Sequence, residues 1–143
     1  MNMTDLIIRI AYWEKDRAAL QKIRREVFIN EQQVPEEMEW DEFDDSSTHF
    51  LCTLENKVIA TARLKADGQI GRMAVLQDYR SLGYGNKLLV FVIQTAHDKN
   101  FKKLYLHAQI NAIPLYEKQG FSACSGIFYE ANIPHREMSK ILC

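Results

Sequence analysis

Two glycines one residue apart, Gly83 and Gly85, follow Arg80 at the point where a strand-like run gives way to a helix-like one. The strand side is Ile70-Gly71-Arg72-Met73-Ala74-Val75-Leu76, and the turn itself is Arg80-Ser81-Leu82-Gly83-Tyr84-Gly85, continued by Asn86-Lys87-Leu88-Leu89. The first turn of a helix presents backbone N–H groups without intrahelical acceptors and the positive end of the helix dipole, so it suits a diphosphate. Glycines at 83 and 85 let that backbone approach phosphate oxygens with no Cβ in the way, and Arg80 adds a cation. The same glycines could merely make a tight connection, so their context has to decide. The turn lacks the third glycine and downstream acid of a dinucleotide fingerprint, and the Gly-Lys-Ser/Thr ending of a P-loop, which disfavours both nucleotide folds.

The elements needed to hold this turn can be read along the chain. Leu6 to Tyr12 is rich in β-branched residues and predicts a strand. Apolar positions Ala19, Leu20, Ile23, Val27 and Phe28 recur at spacings of three and four, predicting one amphipathic helix over Asp16 to Asn30. Residues 31 to 45 contain Pro35 and eight acidic residues with no Lys or Arg, so they predict a loop or loosely helical stretch with a local negative field. His49 to Leu54, Lys57 to Leu64 and Gln69 to Leu76 predict three antiparallel strands joined at Glu55-Asn56 and Asp67-Gly68. Tyr84 to Lys99 predicts a helix, Lys103 to His107 a strand, and Ala112 to Gln119 a short helix closed by Gly120. Phe121 to Leu142 predicts two further strands around Asn132-Ile133-Pro134. The sum is an α/β (α+β) chain, a mixed central sheet of about seven strands flanked by helices, in which the helix from Tyr84 links two parallel neighbours.

Size and composition limit what this sheet can serve. A chain of 143 residues with 47% apolar content suits a single domain over 1–143, so one site must be built from one sheet system. A charged fraction of 26% and a net charge of -1 give no global reason to expect nucleic acid. Cys52, Cys124 and Cys143 form an odd set without a CxxC pair, which indicates neither a structural zinc site nor a disulfide framework; no metal and a reducing cytoplasm are expected. Met1 to Arg9 is too short and lacks the basic start of a signal peptide. The longest apolar run, Leu88 to Ile93, falls far short of the roughly 20 residues that span a bilayer.

The turn, in this setting, resembles the pyrophosphate signature of the GCN5-related N-acetyltransferase (GNAT) superfamily, Arg/Gln-x-x-Gly-x-Gly/Ala after a strand of the type seen at Met73-Ala74-Val75. A second block, Asn111-Ala112-Ile113-Pro114-Leu115-Tyr116-Glu117-Lys118-Gln119-Gly120-Phe121, is similar to the asparagine-helix-tyrosine-Gly-Phe block of the same superfamily. Two motifs in order are more specific than either alone. Arg24 to Val34, Asp41 to His49, His107-Ala108-Gln109 and Ile133-Pro134-His135 further resemble the ElaA-like and YjcF-like branch, so the likeness covers nearly the whole chain.

This resemblance implies the acyl-CoA N-acyltransferase fold and acetyl-CoA as acyl donor, with the acceptor amine attacking the thioester directly in a ternary complex. Two residues of the strand, Met73 and Val75, would hold the pantetheine arm by main-chain groups, with Ala74 between them. Residues Arg80, Ser81, Leu82, Gly83, Tyr84, Gly85 and Asn86 would hold the pyrophosphate. Tyr116 stands where the family tyrosine protonates the departing sulfur, a task that suits a phenol because it keeps its proton at neutral pH. Asn111 would either bond the pantetheine or cap the following helix. Glu31, His107 and His135 are candidates for the general base, unless the amine arrives neutral and needs none. The acidic stretch could attract a cationic amine or simply be solvated. The implied partners are a small-molecule amine acceptor and a second copy of the chain in a homodimer, with no nucleic acid and no membrane. A non-catalytic acyl-CoA sensor and a plain interaction domain are the competing readings, and Tyr116 is the residue that favours catalysis.

Overall fold

A computed structural model describes residues 5–142, so residues 1–4 and Cys143, which entered the expectations above, lie outside the described residues. Strand β1 (Leu6–Ala11) leads into helix α1 (Trp13–Arg24), and a one-turn helix α2 (Glu36–Glu39) lies between α1 and the sheet's main run. That run comprises β2 (Thr48–Leu54), β3 (Lys57–Leu64) and β4 (Gln69–Val75). Helix α3 (Tyr84–Asp98), strand β5 (Lys103–Gln109) and helix α4 (Ile113–Lys118) follow. The chain ends in β6 (Ser122–Ala123), β7 (Phe128–Glu130) and β8 (Ile133–Ile141). All belong to one eight-stranded sheet ordered β1-β2-β3-β4-β5-β8-β6, with β7 paired to β8 beside this path. The final segment therefore holds three strands where two were expected. The extra one, β6, is only two residues long and has too little pattern to register in a sequence.

Strand β3 is buried over residues 59–64, as a central strand covered on both faces must be. On one face Leu88, Leu89 and Val92 of α3 pack with Phe50, Ala60, Leu106 and Met138 into the larger core. On the other, Leu20 meets Leu51 and Ala11, and Ile23 and Val27 close on Ala74. Among the described residues no helix is long and apolar enough to cross a membrane.

The helix expected over 16–30 differs from the observed one at both ends. It begins earlier, at Trp13, where Asp16 reaches back to accept a hydrogen bond from the Tyr12 N–H at 2.9 Å and pairs with Arg9, which fixes how the chain enters the helix. After Arg24 it widens into a π-helical turn over Arg25–Glu31. The bonds reach further back along the chain accordingly, from Gln32 N–H to Val27 O at 3.1 Å and from Val34 N–H to Phe28 O at 2.8 Å. Widening keeps Ile23 and Val27 on Ala74 while carrying Glu31 and Gln32 towards the carboxyl ends of β4 and β5.

The acidic stretch is divided: Glu31, Glu36, Glu37, Glu42 and Asp45 are exposed, whereas Glu39, Asp41 and Asp44 turn inward onto three arginines. Arg24, 1% exposed, donates from Nε to Glu39 at 2.7 Å and from Nη1 to Asp44 at 2.8 Å. Arg63 of β3 donates to Asp41 and Asp44 at 2.7 and 3.0 Å, and Arg72 of β4 to Asp41 at 3.1 Å and to the Glu39 carbonyl at 2.9 Å. Trp13 and Trp40 cover the Arg24 guanidinium at 5.9 and 5.2 Å. Burial pushes the Glu39 carboxyl up against the opposing pull of Arg72 and Arg24. Burial also raises Asp41, but the bonds and charges of Arg63 and Arg72 outweigh it and hold that carboxyl below its ordinary value. Arg24→Met, which keeps volume but leaves Glu39 to Arg72 and Asp44 to Arg63 as their remaining cations, is expected to cost about 3 kcal/mol in urea unfolding. A loss below about 1 kcal/mol would mean that the cluster does not hold α1 to the sheet.

Candidate active site

Strands β4 and β5 run parallel but pair only at Gln69↔Tyr105 and Ile70↔Leu106, and beyond these they part. The cause lies in β4. Its register against β3 slips by one residue between Thr61↔Ala74 and Arg63↔Gly71, a bulge that leaves Arg72 at φ 48°. A bulge bends its strand, and here it turns β4 away from β5. Arg72 is fixed in this left-handed conformation by its bonds to the Glu39 carbonyl and Asp41. The parted strands border a cleft of about 840 Å³.

The strand wall carries the main-chain groups that the sequence singled out. Across the Ala60↔Val75 pair, the Leu76 N–H bonds the Ile59 carbonyl at 2.9 Å. In antiparallel pairing this leaves the N–H and C=O of Val75 pointing away from β3, into the gap, and period-two alternation puts those of Met73 there as well. The Met73 and Val75 side chains pack on the α3-side core, while Ala74 is buried under Ile23 and Val27.

At the mouth, the turn has the form its glycines suggested. Ser81 has φ 64° and Gly83 φ 90°, and α3 starts at Tyr84 with its first regular bond from Lys87 N–H to Gly83 O at 3.1 Å. The N–H groups of Tyr84, Gly85 and Asn86 therefore have no intrahelical acceptor. The two glycines are not equivalent. Gly83 is required by its backbone angle, and a Cβ there would project into open space; a Cβ on Gly85 would sit 3.6 Å from Val75 Cγ2, an ordinary contact. Leu82 is 62% exposed at the tip, and the Asn86 side chain is engaged by Gln119 Nε2 at 2.8 Å, which ties the start of α3 to the end of α4. Arg80 donates from Nε to Val75 O at 2.8 Å and grips both carboxylate oxygens of Glu31 at 2.5 and 2.7 Å.

That grip bears on the candidates for a base. The hydrogen bond from Arg80 holds the Glu31 carboxyl below its usual range, and Glu31 faces a separate cavity lined by Asn30, Lys57, Gln77 and Tyr79. His107 and His135 line the large cleft together with Asn111 and Tyr116. His135 is buried, with Nδ1 2.7 Å from the Ile133 carbonyl. His107 bonds Glu130 through Nδ1, with Phe128 edge-on at 5.1 Å. Tyr116, 8% exposed, has its hydroxyl 3.7 Å from Met73 Sδ, and burial pushes its phenol up to about 12. Helix α4 starts from Ala112 without a side-chain cap, so Asn111 is exposed on the cleft and does not serve as the cap.

Several cleft residues escaped sequence reasoning: Glu130, and the pair Gln32–Gln109, bonded at 3.0 Å across the strand ends. Each reaches the site through strand register or through the π-helical turn. Glu130 had one faint signal, the Ala131-Asn132 turn at φ 48° and 64°, which folds β7 onto β8 and so brings Glu130 beside β5.

Comparison with known proteins gives a consistent answer. The model of the acetyltransferase (GNAT) domain matches residues 14–142. The uncharacterised N-acetyltransferase YjcF of Bacillus subtilis is 34% identical over 122 residues, covering 82% of this chain and 87% of that protein. Among solved structures, Escherichia coli ElaA superposes with a TM-score of 0.85 at 25% identity, covering 94% of this chain and 99% of that one. An acyl-CoA N-acyltransferase from Pseudomonas aeruginosa superposes with a TM-score of 0.83 at 28% identity, covering 96% and 99%. A domain-wide family match, a bulged strand parting from its parallel neighbour and a left-handed glycine opening the next helix agree: this chain belongs to the GNAT family of N-acetyltransferases, in the branch that includes ElaA and YjcF.

Proposed function

We propose that the protein transfers an acetyl group from acetyl-CoA to a primary amine of a small molecule or peptide, by direct attack within a ternary complex. The observation that carries this reading is the alignment of three features along one cleft. The unpaired N–H groups of α3 stand at its mouth, the main-chain groups of Met73 and Val75 along its wall, and the Tyr116 hydroxyl at Met73 in its depth. Acetyl-CoA supplies the activated acyl group. The diphosphate would rest on Tyr84, Gly85 and Asn86 N–H with Arg80 beside it, and the pantetheine amides would bond Val75 N–H and Met73 in place of the missing strand partner. Exposed on the cleft, Asn111 adds a side-chain amide to the same arm. Tyr116 protonates the departing sulfur; burial that disfavours phenolate keeps its proton in place across the physiological range.

Acetyl-CoA at about 100 times its Kd should stabilise the folded protein by about 2.7 kcal/mol, read as a rise in the thermal midpoint. Thiol release should follow when polyamines, amino sugars, amino acids or peptides are added. An unchanged midpoint with both acetyl-CoA and CoA would end the cofactor assignment, whereas a raised midpoint without thiol release for any amine would favour a sensor.

A further inference from the structure

Resting on the acetyl-transfer reading, we propose that His107, oriented by Glu130, takes the proton from the acceptor's ammonium, which makes Glu130 a positioning residue of the active site. Leu106 is the last residue of β5 paired to β4, so His107 is the first beyond the point where the strands part. Side chains alternate across a strand, so His107 projects from the face opposite Leu106. Leu106 packs in the α3-side core with Tyr116 and Met73. The proton acceptor and the proton donor thus stand on opposite faces of the gap that receives the thioester. An amine can then approach from one side while the sulfur departs on the other.

The ring's chemistry follows from its neighbours. A carboxylate is an acceptor only, and Glu130 lies closer to Nδ1 than Glu137 does to Nε2, so the neutral ring donates from Nδ1 to Glu130 and keeps its lone pair on Nε2. The nearest carboxylate to Nε2 is Glu137 Oε1 at 3.4 Å, placed to stabilise the ring once it becomes charged. Other titratable groups on this face are Tyr105 of β5, whose hydroxyl is donated to Asp67 at 2.6 Å, and His135 of β8, stacked on Phe128 at 6.0 Å. His135 bonds a main-chain carbonyl instead of a carboxylate, so a charge on it has no such partner. Glu31 is held by Arg80 outside the cleft.

The step balances. The ammonium gives one proton to His107 Nε2, from which it passes to solvent, and the freed nitrogen lone pair forms the C–N bond as the C–S bond breaks. The sulfur takes the Tyr116 proton, and the second proton shed by the new amide nitrogen restores the phenol.

The test compares the wild type with His107→Gln, Glu130→Gln and Glu130→Asp, using the amine turned over fastest and measuring kcat and KM across pH. His107→Gln should lower kcat about 10²-fold and remove the acid-side ionisation of the rate profile, with the acetyl-CoA thermal shift intact. Glu130→Gln should move that acid limb to lower pH, because a neutral amide no longer stabilises the charged ring. It should also lower kcat at unchanged KM for acetyl-CoA, and Glu130→Asp should restore most of the rate. A wild-type acid limb surviving in His107→Gln, or superimposable profiles for Glu130→Gln and wild type, would overturn the pair. One readout needs no variant: imidazole nitrogen shifts should report His107 protonated on Nδ1, and an Nε2-protonated ring would also overturn it. If the wild type releases no thiol with any amine, the transfer reading fails and takes the pair with it. Turnover alongside unaltered variant profiles removes the pair alone.

Discussion

Tyr116→Phe is expected to lower kcat by about 10²-fold while leaving the acetyl-CoA thermal shift at its wild-type size, the signature of a group that acts on the leaving sulfur and not on the bound cofactor. The substitution removes one oxygen from a site where that oxygen contributes little to packing. Among the described residues the hydroxyl's hydrogen-bond partner is Met73 Sδ, at 3.7 Å, and the ring keeps its edge contact with Phe121 at 6.1 Å. Folding stability should therefore change little, and kinetics and stability are separable at this residue. Burial pushes the phenol up to about 12, so alkaline pH up to about 10 should not remove its proton. Equal kcat in mutant and parent would show that the thiolate leaves unassisted or finds its proton elsewhere.

The second large effect is expected at the turn, where the two glycines should respond in opposite ways. Gly83→Val forces a β-branched residue to φ 90°, a strain of about 1–3 kcal/mol, and should lose both stability and the acetyl-CoA shift. Sequence reasoning alone predicts an intact fold for this variant, because the left-handed angle is invisible there. Gly83→Asn is the cleaner probe, since asparagine tolerates left-handed angles. Its Cβ would enter the open space over the first turn of α3, so it should keep the unliganded midpoint and lose most of the shift. Gly85→Ala should instead stabilise the unliganded protein by about 0.4–1 kcal/mol, a slightly raised midpoint, because alanine fits beside Val75 and restricts the unfolded chain. If Gly83→Asn retains the full acetyl-CoA shift, the diphosphate does not sit on this turn. All three midpoints come from one calorimetric series with and without acetyl-CoA.

Much of this architecture was legible because it is local. The strand, turn and helix around Gly83, the three antiparallel strands before them and the parallel return of β5 all follow from apolar periodicity and turn residues within short windows. What stayed hidden depends on distant partners. The acids of residues 31–45 looked free because Arg63 and Arg72, which neutralise Asp41 and Asp44, come from strands later in the chain. The end of α1 looked like regular helix because the wider hydrogen-bond ring is selected by packing on Ala74, not by any residue's propensity. Glu130 met His107 only through the combined registers of β5, β8 and β7.

The arginine-stitched bulge has a bearing on how relatives of this protein could diverge. Arg72 joins the bend of β4, which parts it from β5, to the Glu39 carbonyl and Asp41 at the edge of the cleft. A substitution in this seam would disturb the bend and the cleft edge together. Phe28 and Val34 border the same cleft but lie outside the ion cluster, so new substrate preferences should accumulate there, where the bend of β4 is left untouched.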